Sequence, residues 1–261
     1  MEKETRELLV RYAEQYETAN FLDGDPSWFM HQVSGSRNQE AMAFVASCLS
    51  YGSRQQFMQK IRLILDAADG DVDHWIRSGH YERMFAAGDR RCFYRLYNNN
   101  TMCNFLNDYR RLLSAFGTLG NYVLEAMQQA SNDDTGMVRR AGDALTAIES
   151  ICHYFNQQGM SLVVPKDTQS ACKRVCMFLR WMVRSGSPVD LGLWSDFIDR
   201  RQLIIPMDTH VLSQSVRLGL LSSKTATMST ARRLTAALAE VFPDDPLKGD
   251  FALFGYGVNH K

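Results

Sequence analysis

The sequence predicts an all-α protein built of many helices. Hydrophobic residues recur at the helical period of about 3.6 along most of the chain, and the alternation typical of strands is nearly absent. The 261 residues include only 6 prolines and 17 glycines, fewer than an all-β chain with many tight turns needs. This length fits one large domain or two small ones. We expect a single helical unit over 1–261, with a seam near 131–136 if it has two lobes.

The first half of the chain divides into helices at residues that cap or break them. A first helix is predicted over about 2–19, ended by Asp25-Pro26. The second helix is expected at 37–51, with Ser36 as its N-cap and Gly52 as its stop. The third begins after Ser53, where Gln56 completes a capping box. Short helical pieces are expected around Trp75 and Phe85, and longer helices from Thr101 to Leu113 and from Leu119 to about Ala130.

The second half begins with the polar segment 131–136, after which helix resumes to about Gln157. The segment 159–169 is expected to be irregular because it is polar and contains Pro165. A helix is expected at 170–184, and two short helical pieces are expected before Pro206. Asp208 is the expected N-cap of a helix that ends at Leu218-Gly219, and Ser229 is the expected N-cap of a helix that ends at Val241. The tail 250–258 is apolar and interrupted by glycines.

The overall charge gives no direct sign of nucleic-acid binding. The chain has 29 Lys and Arg against 29 Asp and Glu, so any attraction for phosphate must be local. Residues 170–184 contain four cations and no acid, and residues 200–233 contain six cations and one acid. The first 25 residues contain three cations and seven acids. This asymmetry permits a surface that faces phosphates, and solvated helix faces explain it equally well.

Neither a cofactor nor a membrane is predicted. The six cysteines include no Cys-x-x-Cys pair, and the histidines lack metal-binding spacing, so we expect reduced, mostly buried thiols and no metal. Phosphate-binding glycine motifs are absent from the sequence. The charged amino terminus is unlike a signal peptide, and no apolar run approaches the ~18 residues of a membrane span. We expect a soluble, cytoplasmic protein.

Lys173 lies in the first turn of the predicted helix 170–184. The helix dipole and the neighbouring Arg174 both disfavour a charged ammonium there. Such a place suits an amine that reacts as a neutral nucleophile. The alternative is a solvated lysine beside the buried side of the helix.

Asp208 follows the apolar run 203–207 and precedes Thr209-His210-Val211. Aspartate is a favoured N-cap residue, so helix capping by itself explains its position. The same position would hold a carboxylate at a fixed point for chemistry.

Together these segments resemble a known pattern. Pro206-Met-Asp-Thr-His-Val211, which enters a helix ending at Arg217-Leu-Gly219, resembles the catalytic aspartate segment of the helix-hairpin-helix DNA glycosylases. Lys173 stands where bifunctional members carry a catalytic lysine. The chain is also similar to a bacterial family of uncharacterised proteins close to the archaeal 8-oxoguanine DNA glycosylase branch. This similarity is carried by Cys172-Lys-Arg174, Phe178-Leu-Arg-Trp-Met-Val-Arg184, Asp190-Leu-Gly-Leu-Trp194 and Asp245-Pro-Leu-Lys-Gly-Asp-Phe-Ala-Leu-Phe-Gly255.

The resemblance implies a two-lobed helix-hairpin-helix glycosylase fold and base excision repair of double-stranded DNA. The implied reaction removes an oxidised purine such as 8-oxoguanine, with AP-lyase activity in the bifunctional mode. Lys173 would attack the anomeric carbon of an extruded nucleotide and form a Schiff base. Asp208 would accept the lysine proton or stabilise the sugar cation. No metal cluster or other cofactor is implied.

Further site residues are proposed on the same basis. The expected DNA contacts are Arg174, Arg180, Thr209, His210 and Arg217. The candidate walls of a base pocket are Gln55, Gln56, Phe44, Trp181, Phe251 and Phe254. Core packing explains aromatic residues at helical spacing equally well.

Two other interpretations stay open. One is a non-catalytic helical module that binds nucleic acid or protein, which the glycine-free segment 164–172 before Lys173 favours. The other is an unrelated all-α scaffold. A catalytic pair requires the Lys173 amine and the Asp208 carboxylate to lie within direct or one-water hydrogen-bonding distance and to border a cleft.

Overall fold

The computed structural model describes residues 1–132, 143–223 and 225–260. They form two compact units. The terminal unit comprises the described residues of Met1–Asp23, Arg140–Ile148 and Asp167–Lys261, and the central unit those of Gly24–Arg139 and Glu149–Lys166. Residues 133–136 of the predicted seam, and Lys224 of the second cationic segment, lie outside the described residues.

The described residues contain eleven α-helices and one short antiparallel hairpin. The helices are α1 (Lys3–Tyr16), α2 (Ser36–Leu49), α3 (Arg54–Ala67), α4 (Val72–Ser78), α5 (Asn99–Phe116), α6 (Leu119–Asn132), α7 (Ala144–Gln157), α8 (Lys173–Val183), α9 (Thr209–Arg217), α10 (Met228–Ala239) and α11 (Lys248–Asn259). The hairpin strands are β1 (Cys92–Tyr94) and β2 (Tyr97–Asn98). The all-α prediction is confirmed.

Three predicted helix caps are wrong. The Asn98 side chain accepts from the Thr101 amide at 2.8 Å, so α5 begins at Asn99. Thr227, not Ser229, caps α10. Ser53 occupies the N-cap of α3, but its side chain makes no capping hydrogen bond, so the predicted capping box does not form.

The structure also differs from the expected elements in three places. The chain near Phe85 contains a short 3-10 helix, His80–Arg83, and Phe85 itself lies beyond it. Before Pro206 the described chain has one such helix, Arg200–Gln202, rather than two helical pieces. The glycine-punctuated tail is the helix α11, where Gly255 allows close approach, since a Cβ there would collide with the ring of Tyr16.

Helix α2 is the centre of the central unit. All of its residues from Ala41 to Leu49 are buried, and it packs against α3, α4 and the 3-10 helix Pro26–His31. A helix that is apolar on every side belongs inside a core. Its Phe44 ring lies 5.0 Å from Tyr109 and 5.3 Å from Phe155, between ring centroids. The buried Glu40 carboxylate accepts from the backbone amides of Leu119 and Gly120 and so fixes the start of α6.

The terminal unit is organised around α8, α1 and α11. Residues Val175–Val183 of α8 are all buried, and the Phe178 ring packs edge-on against Trp194 at 5.1 Å. Helix α1 packs against α11, which also contacts α9. No helix within the described residues is long and apolar enough to cross a membrane. The six cysteines, all within the described residues, form no disulfide, and all but Cys92 are buried, as predicted.

Phe44→Ala should destabilise the protein by about 3–5 kcal/mol, because it removes a fully buried ring and leaves a cavity among other rings. Chemical denaturation measures the free energy of unfolding. Leu162→Ala, at a residue that is 46% exposed in the same unit, is the control and should have a much smaller effect. Equal effects of the two substitutions would contradict the central position of Phe44.

Candidate active site

The backbone turns sharply just before Lys173. Cys172 has φ 45° and ψ 36°, the left-handed conformation, which costs a residue other than glycine roughly 1–2 kcal/mol. The Cys172 thiol donates to the Asp167 carbonyl at 3.1 Å, and Ser170 forms an isolated antiparallel bridge with Thr227. Helix α8 therefore begins at Lys173 rather than at 170 as predicted.

Asp208 is delivered to its position by a buried extended segment. Residues Leu203–Met207 are buried, and the Ile205 amide donates to the Thr235 hydroxyl at 3.0 Å. Asp208 then caps α9, since its Oδ1 accepts from the amides of His210 and Val211, both at 2.9 Å. One carboxylate oxygen is thus committed to the helix.

The other carboxylate oxygen of Asp208 faces Lys173. The Lys173 Nζ lies 3.0 Å from Asp208 Oδ2, and about a third of each side chain is exposed, 36% and 30% respectively. The predicted hydrogen-bonding distance between amine and carboxylate is therefore confirmed. That the pair borders a cleft stays a prediction. The pair combines an amine that can act as a nucleophile with a proton acceptor that the helix cap holds in orientation.

The surroundings of Asp208 favour its charged form. Burial by itself would raise the pKa of Asp208, but the Lys173 charge and the hydrogen bond from the Val211 amide outweigh it, so the pKa lies below its ordinary value. Asp208 is accordingly a carboxylate at neutral pH. A fixed negative charge of this kind suits stabilisation of a cation that develops beside it.

A buried ion network surrounds the two arginines of α8. Arg184 pairs with Asp190, Asp245 and Glu17, at 2.5, 2.8 and 2.6 Å. Arg180 pairs with the same Asp190 and with Asp250. Burial by itself would lower the pKa of Arg184, but these carboxylates raise it.

Arg180 is therefore wrong as a predicted DNA contact. It is buried, and its guanidinium is occupied by two carboxylates and lies 4.8 Å from the ring centroid of Phe251. Of the four cations in 170–184, the two arginines of the network are withdrawn from solvent. Only Lys173 and Arg174 remain partly exposed.

The other expected DNA contacts lie at the surface of the terminal unit. Thr209 and His210 are exposed in the first turn of α9, next to Asp208. Arg217 is exposed in the last turn and donates to the His260 carbonyl at 2.9 Å. These residues are placed where contact with a ligand is sterically possible.

The expected base-pocket residues separate into core and surface. Phe44, Trp181 and Phe251 are fully buried, so none of these rings has a face exposed for a base, and their assignment as pocket walls is corrected to core. Phe254 is half-buried, with its ring centroid 5.0 Å from Phe21. In the central unit Gln55 and Gln56 are exposed in the first turn of α3.

Sequence reasoning missed the acids of the ion network. Asp190, Asp245 and Asp250 lie in the segments that carry the family resemblance, but the resemblance gives them no role. The available signal was the presence of Arg180 and Arg184 four residues apart in an apolar part of the predicted helix. Arginines that are buried with such a helix require carboxylates nearby. The left-handed Cys172 was also missed, because nothing in its residue type announces that conformation. Among the described residues no group of three or more His, Cys, Asp or Glu is placed to hold a metal ion.

Comparison with known proteins gives one match. The model of a family described as a protein of unknown function, DUF2400, matches residues 25–259. The chain belongs to this family. The matched region includes Lys173, Asp208 and the network acids of the second half of the chain, whereas Glu17 precedes it. No curated protein and no solved structure matches the chain.

Arg184→Met should lower the free energy of unfolding by about 3–5 kcal/mol, because it removes the arginine that pairs with Asp245 and Glu17 and one of the two arginines that pair with Asp190. Denaturant titration measures the loss. Arg201→Met, which removes an exposed arginine paired with Asp199, is the matched control and should be close to wild type. A tolerated Arg184→Met would show that the network is dispensable for stability.

The ion pair should contribute to stability in a pH-dependent way. Because the folded-state pKa of Asp208 is lowered, its contribution is present above the unfolded-state value of about 4 and is lost as pH falls through the folded value. The free energy of unfolding of wild type should therefore exceed that of Lys173→Gln by about 0.5–1 kcal/mol at pH 6, and by less at pH 3. Urea denaturation at both pH values measures the difference. If the difference in free energy of unfolding is the same at both pH values, the lowered pKa of Asp208 in the folded protein is contradicted.

Proposed function

We propose that this protein is a DNA repair glycosylase with AP-lyase activity that excises an oxidised purine, such as 8-oxoguanine, from double-stranded DNA. The observation that carries the proposal is the 3.0 Å contact between Lys173 Nζ and Asp208 Oδ2 at a partly exposed position. The proposal also includes a helix-hairpin-helix glycosylase fold, which the helical architecture supports only at the level of fold class.

The chemistry follows from the two side chains. A substrate that excludes water from the pair would disfavour both charges, so the proton would move from the ammonium to the carboxylate. The neutral Lys173 amine would then attack the anomeric carbon as the glycosidic bond breaks, and the base, which leaves with the electron pair of that bond, would take the proton from Asp208. Asp208 is then a carboxylate again and would stabilise positive charge on the sugar. Transfer of a proton from the lysine nitrogen to the ring oxygen opens the sugar ring and gives the protonated imine between lysine and sugar. Asp208 would accept a proton from C2′, and the 3′ phosphate would leave with its bonding electrons by β-elimination.

A non-catalytic DNA- or protein-binding module is the second candidate. One observation favours it: capping of α9 and the ion pair with Lys173 together account for both oxygens of Asp208 without any reaction. The geometry is the same in both interpretations. Only a measurement of chemistry distinguishes them.

Borohydride trapping tests the enzyme. Wild-type protein incubated with a duplex that carries an abasic site or 8-oxoguanine should form a covalent protein–DNA adduct, because borohydride reduces an imine to a stable amine. Lys173→Gln should form none. Lys248→Gln, at an exposed lysine of α11, is the matched control and should trap as wild type does. Gel electrophoresis measures the adduct.

Asp208→Asn separates the chemical role of the carboxylate from its structural one. Asparagine is as good an N-cap as aspartate, so α9 should be kept while the rate falls by roughly 10²–10⁴. A purely hydrolytic glycosylase would form no adduct, so release of the free base is also measured by mass spectrometry. The proposal fails if wild type gives neither adduct nor base release with abasic, 8-oxoguanine and other oxidised-purine duplexes.

A further inference from the structure

The terminal unit contains a cavity of about 620 Å³. It is lined by the second half of α1 with its C-cap Glu17, the segment 184–188 after α8, Arg200, Phe242, Asp245 and Lys248. The volume is typical of small-molecule sites. Arg184 follows Lys173 by 11 residues, roughly 16 Å along the helix, and neither Lys173 nor Asp208 lines the cavity. The cavity is therefore separate from the proposed catalytic pair.

The most buried charges of the lining are already paired with one another. Arg184 binds Glu17 at 2.6 Å and Asp245 at 2.8 Å, and only 1% of the arginine side chain is exposed. Recognition of a ligand therefore falls to the other polar groups of the lining.

Two cations and one acid of the lining have no ion-pair partner within the described residues. The half-buried Arg200 donates to carbonyl oxygens instead, from Nε to Asp244 at 3.0 Å and from Nη1 to Ser185 at 3.5 Å. Lys248 at the start of α11 and Glu14 on α1 are exposed. Because the two cations outnumber the free acid, the cavity suits a ligand with net negative charge.

Backbone hydrogen-bond donors add to these cations. Ser185, Gly186 and Ser187 line the cavity just after α8, and their N–H groups have no acceptor in the described part of the chain. Consecutive free N–H groups in a turn are a common anion site. Together with a guanidinium and an ammonium, they match the several oxygens of a phosphate group.

The remainder of the lining is apolar. Val10 and Ala13 of α1 contribute aliphatic surface, and Pro188 and Phe242 contribute ring surface that is not fully buried. A flat aromatic group packs well against such side chains. The ligand should therefore combine an anionic group with an aromatic ring.

We propose that this cavity, which we call the Arg200 cavity, binds a ribonucleoside monophosphate. The phosphate accepts from Arg200, Lys248 and the free amides of 185–187. The base packs against Phe242, and the ribose hydroxyls donate to the Glu14 carboxylate.

The size and charge of the Arg200 cavity favour this ligand over smaller ones. Inorganic phosphate would leave the apolar surface uncovered, and an α-amino acid has no net charge to match the excess of cations. A phosphate monoester carries about −1.5 to −2 charges at pH 7. The inference holds whether or not the protein is a glycosylase, because it uses none of the proposed catalytic residues.

The 5′-phosphorylated end of a DNA strand shares the phosphate and the base with this ligand. It has no 2′ hydroxyl, and its 3′ oxygen is esterified, so it offers Glu14 no hydrogen-bond donor. The free ribonucleotide is therefore the occupant that the lining favours.

Isothermal titration calorimetry of the wild-type protein tests the ligand class, with adenosine monophosphate as the probe. Adenosine should bind at least about tenfold more weakly, because it lacks the charged hydrogen-bond acceptor. 2′-Deoxyadenosine monophosphate should bind about threefold more weakly, because it offers Glu14 one hydroxyl fewer. A 5′-phosphorylated oligodeoxynucleotide should not displace adenosine monophosphate.

Arg200→Gln tests the phosphate contact. It should weaken binding of adenosine monophosphate about tenfold and leave the affinity for adenosine unchanged, because it removes a charged donor. Arg201→Gln is the matched control, since Arg201 is exposed, pairs with Asp199 and does not line the cavity. Circular dichroism melting checks the fold of both variants. If Arg200→Gln does not fold, the wild-type comparison of adenosine monophosphate with adenosine decides.

Glu14→Ala tests the ribose contact. The ratio of the affinities for adenosine monophosphate and its 2′-deoxy analogue should fall from about three to about one, because the acceptor of the 2′ hydroxyl is gone. Glu4→Ala is the matched control and should keep the ratio. Glu4 is exposed in the first turn of α1, ten residues or roughly 15 Å before Glu14.

The outcomes separate this inference from the proposed function. If adenosine monophosphate at about 1 mM gives no heat of binding, or binds no more tightly than adenosine, the inference is overturned even when borohydride trapping succeeds. If the oligodeoxynucleotide displaces adenosine monophosphate and Glu14→Ala keeps the affinity ratio, the occupant is a strand end and the ribonucleotide is wrong. If trapping fails while the expected affinities are found, the Arg200 cavity stands and the glycosylase chemistry fails.

Discussion

The buried network around Arg180 and Arg184 is the constraint on which the terminal unit depends. These guanidiniums bring together carboxylates from the end of α1, the segment after α8 and the start of α11. A buried charge without its partner costs several kcal/mol, so these segments must assemble together. Helix α8 is thereby fixed along its length. The ion pairs of Arg180 and Arg184, which follow Lys173 by 7 and 11 residues, therefore also fix the position of Lys173.

Asp208 shows how a structural and a chemical role coincide in one side chain. The cap of α9 fixes one oxygen, and that fixed orientation turns the other toward Lys173. Preorganisation is also what an electrostatic catalyst requires, because no reorientation is needed when charge develops. The geometry that makes Asp208 a plain N-cap is thus the geometry that the proposed chemistry uses. This is why replacement by asparagine carries more information here than replacement by alanine.

The distribution of positive charge differs from what counting along the chain indicates. The densest cationic segment of the terminal unit, 170–184, places two of its four cations in the core. Their partners Asp245 and Asp250 lie 61 and 70 residues away in sequence, so no local count could have paired them.

The sequence by itself determined the features of this protein that depend on interactions between residues close together in the chain. The helical period predicted the fold class and most of the helices, and the residue type of Asp208 predicted the cap of α9, since both depend on interactions within a few residues. The proximity of Lys173 and Asp208 was expected from a family resemblance rather than from their spacing. The tertiary structure decided what depends on distant partners. It withdrew Arg180 from the surface, buried Phe44, Trp181 and Phe251 in the core, and formed a hairpin over 92–98 too short to show a strand period. In each case the deciding energy is burial or pairing with a segment far away in sequence, which a local pattern does not contain.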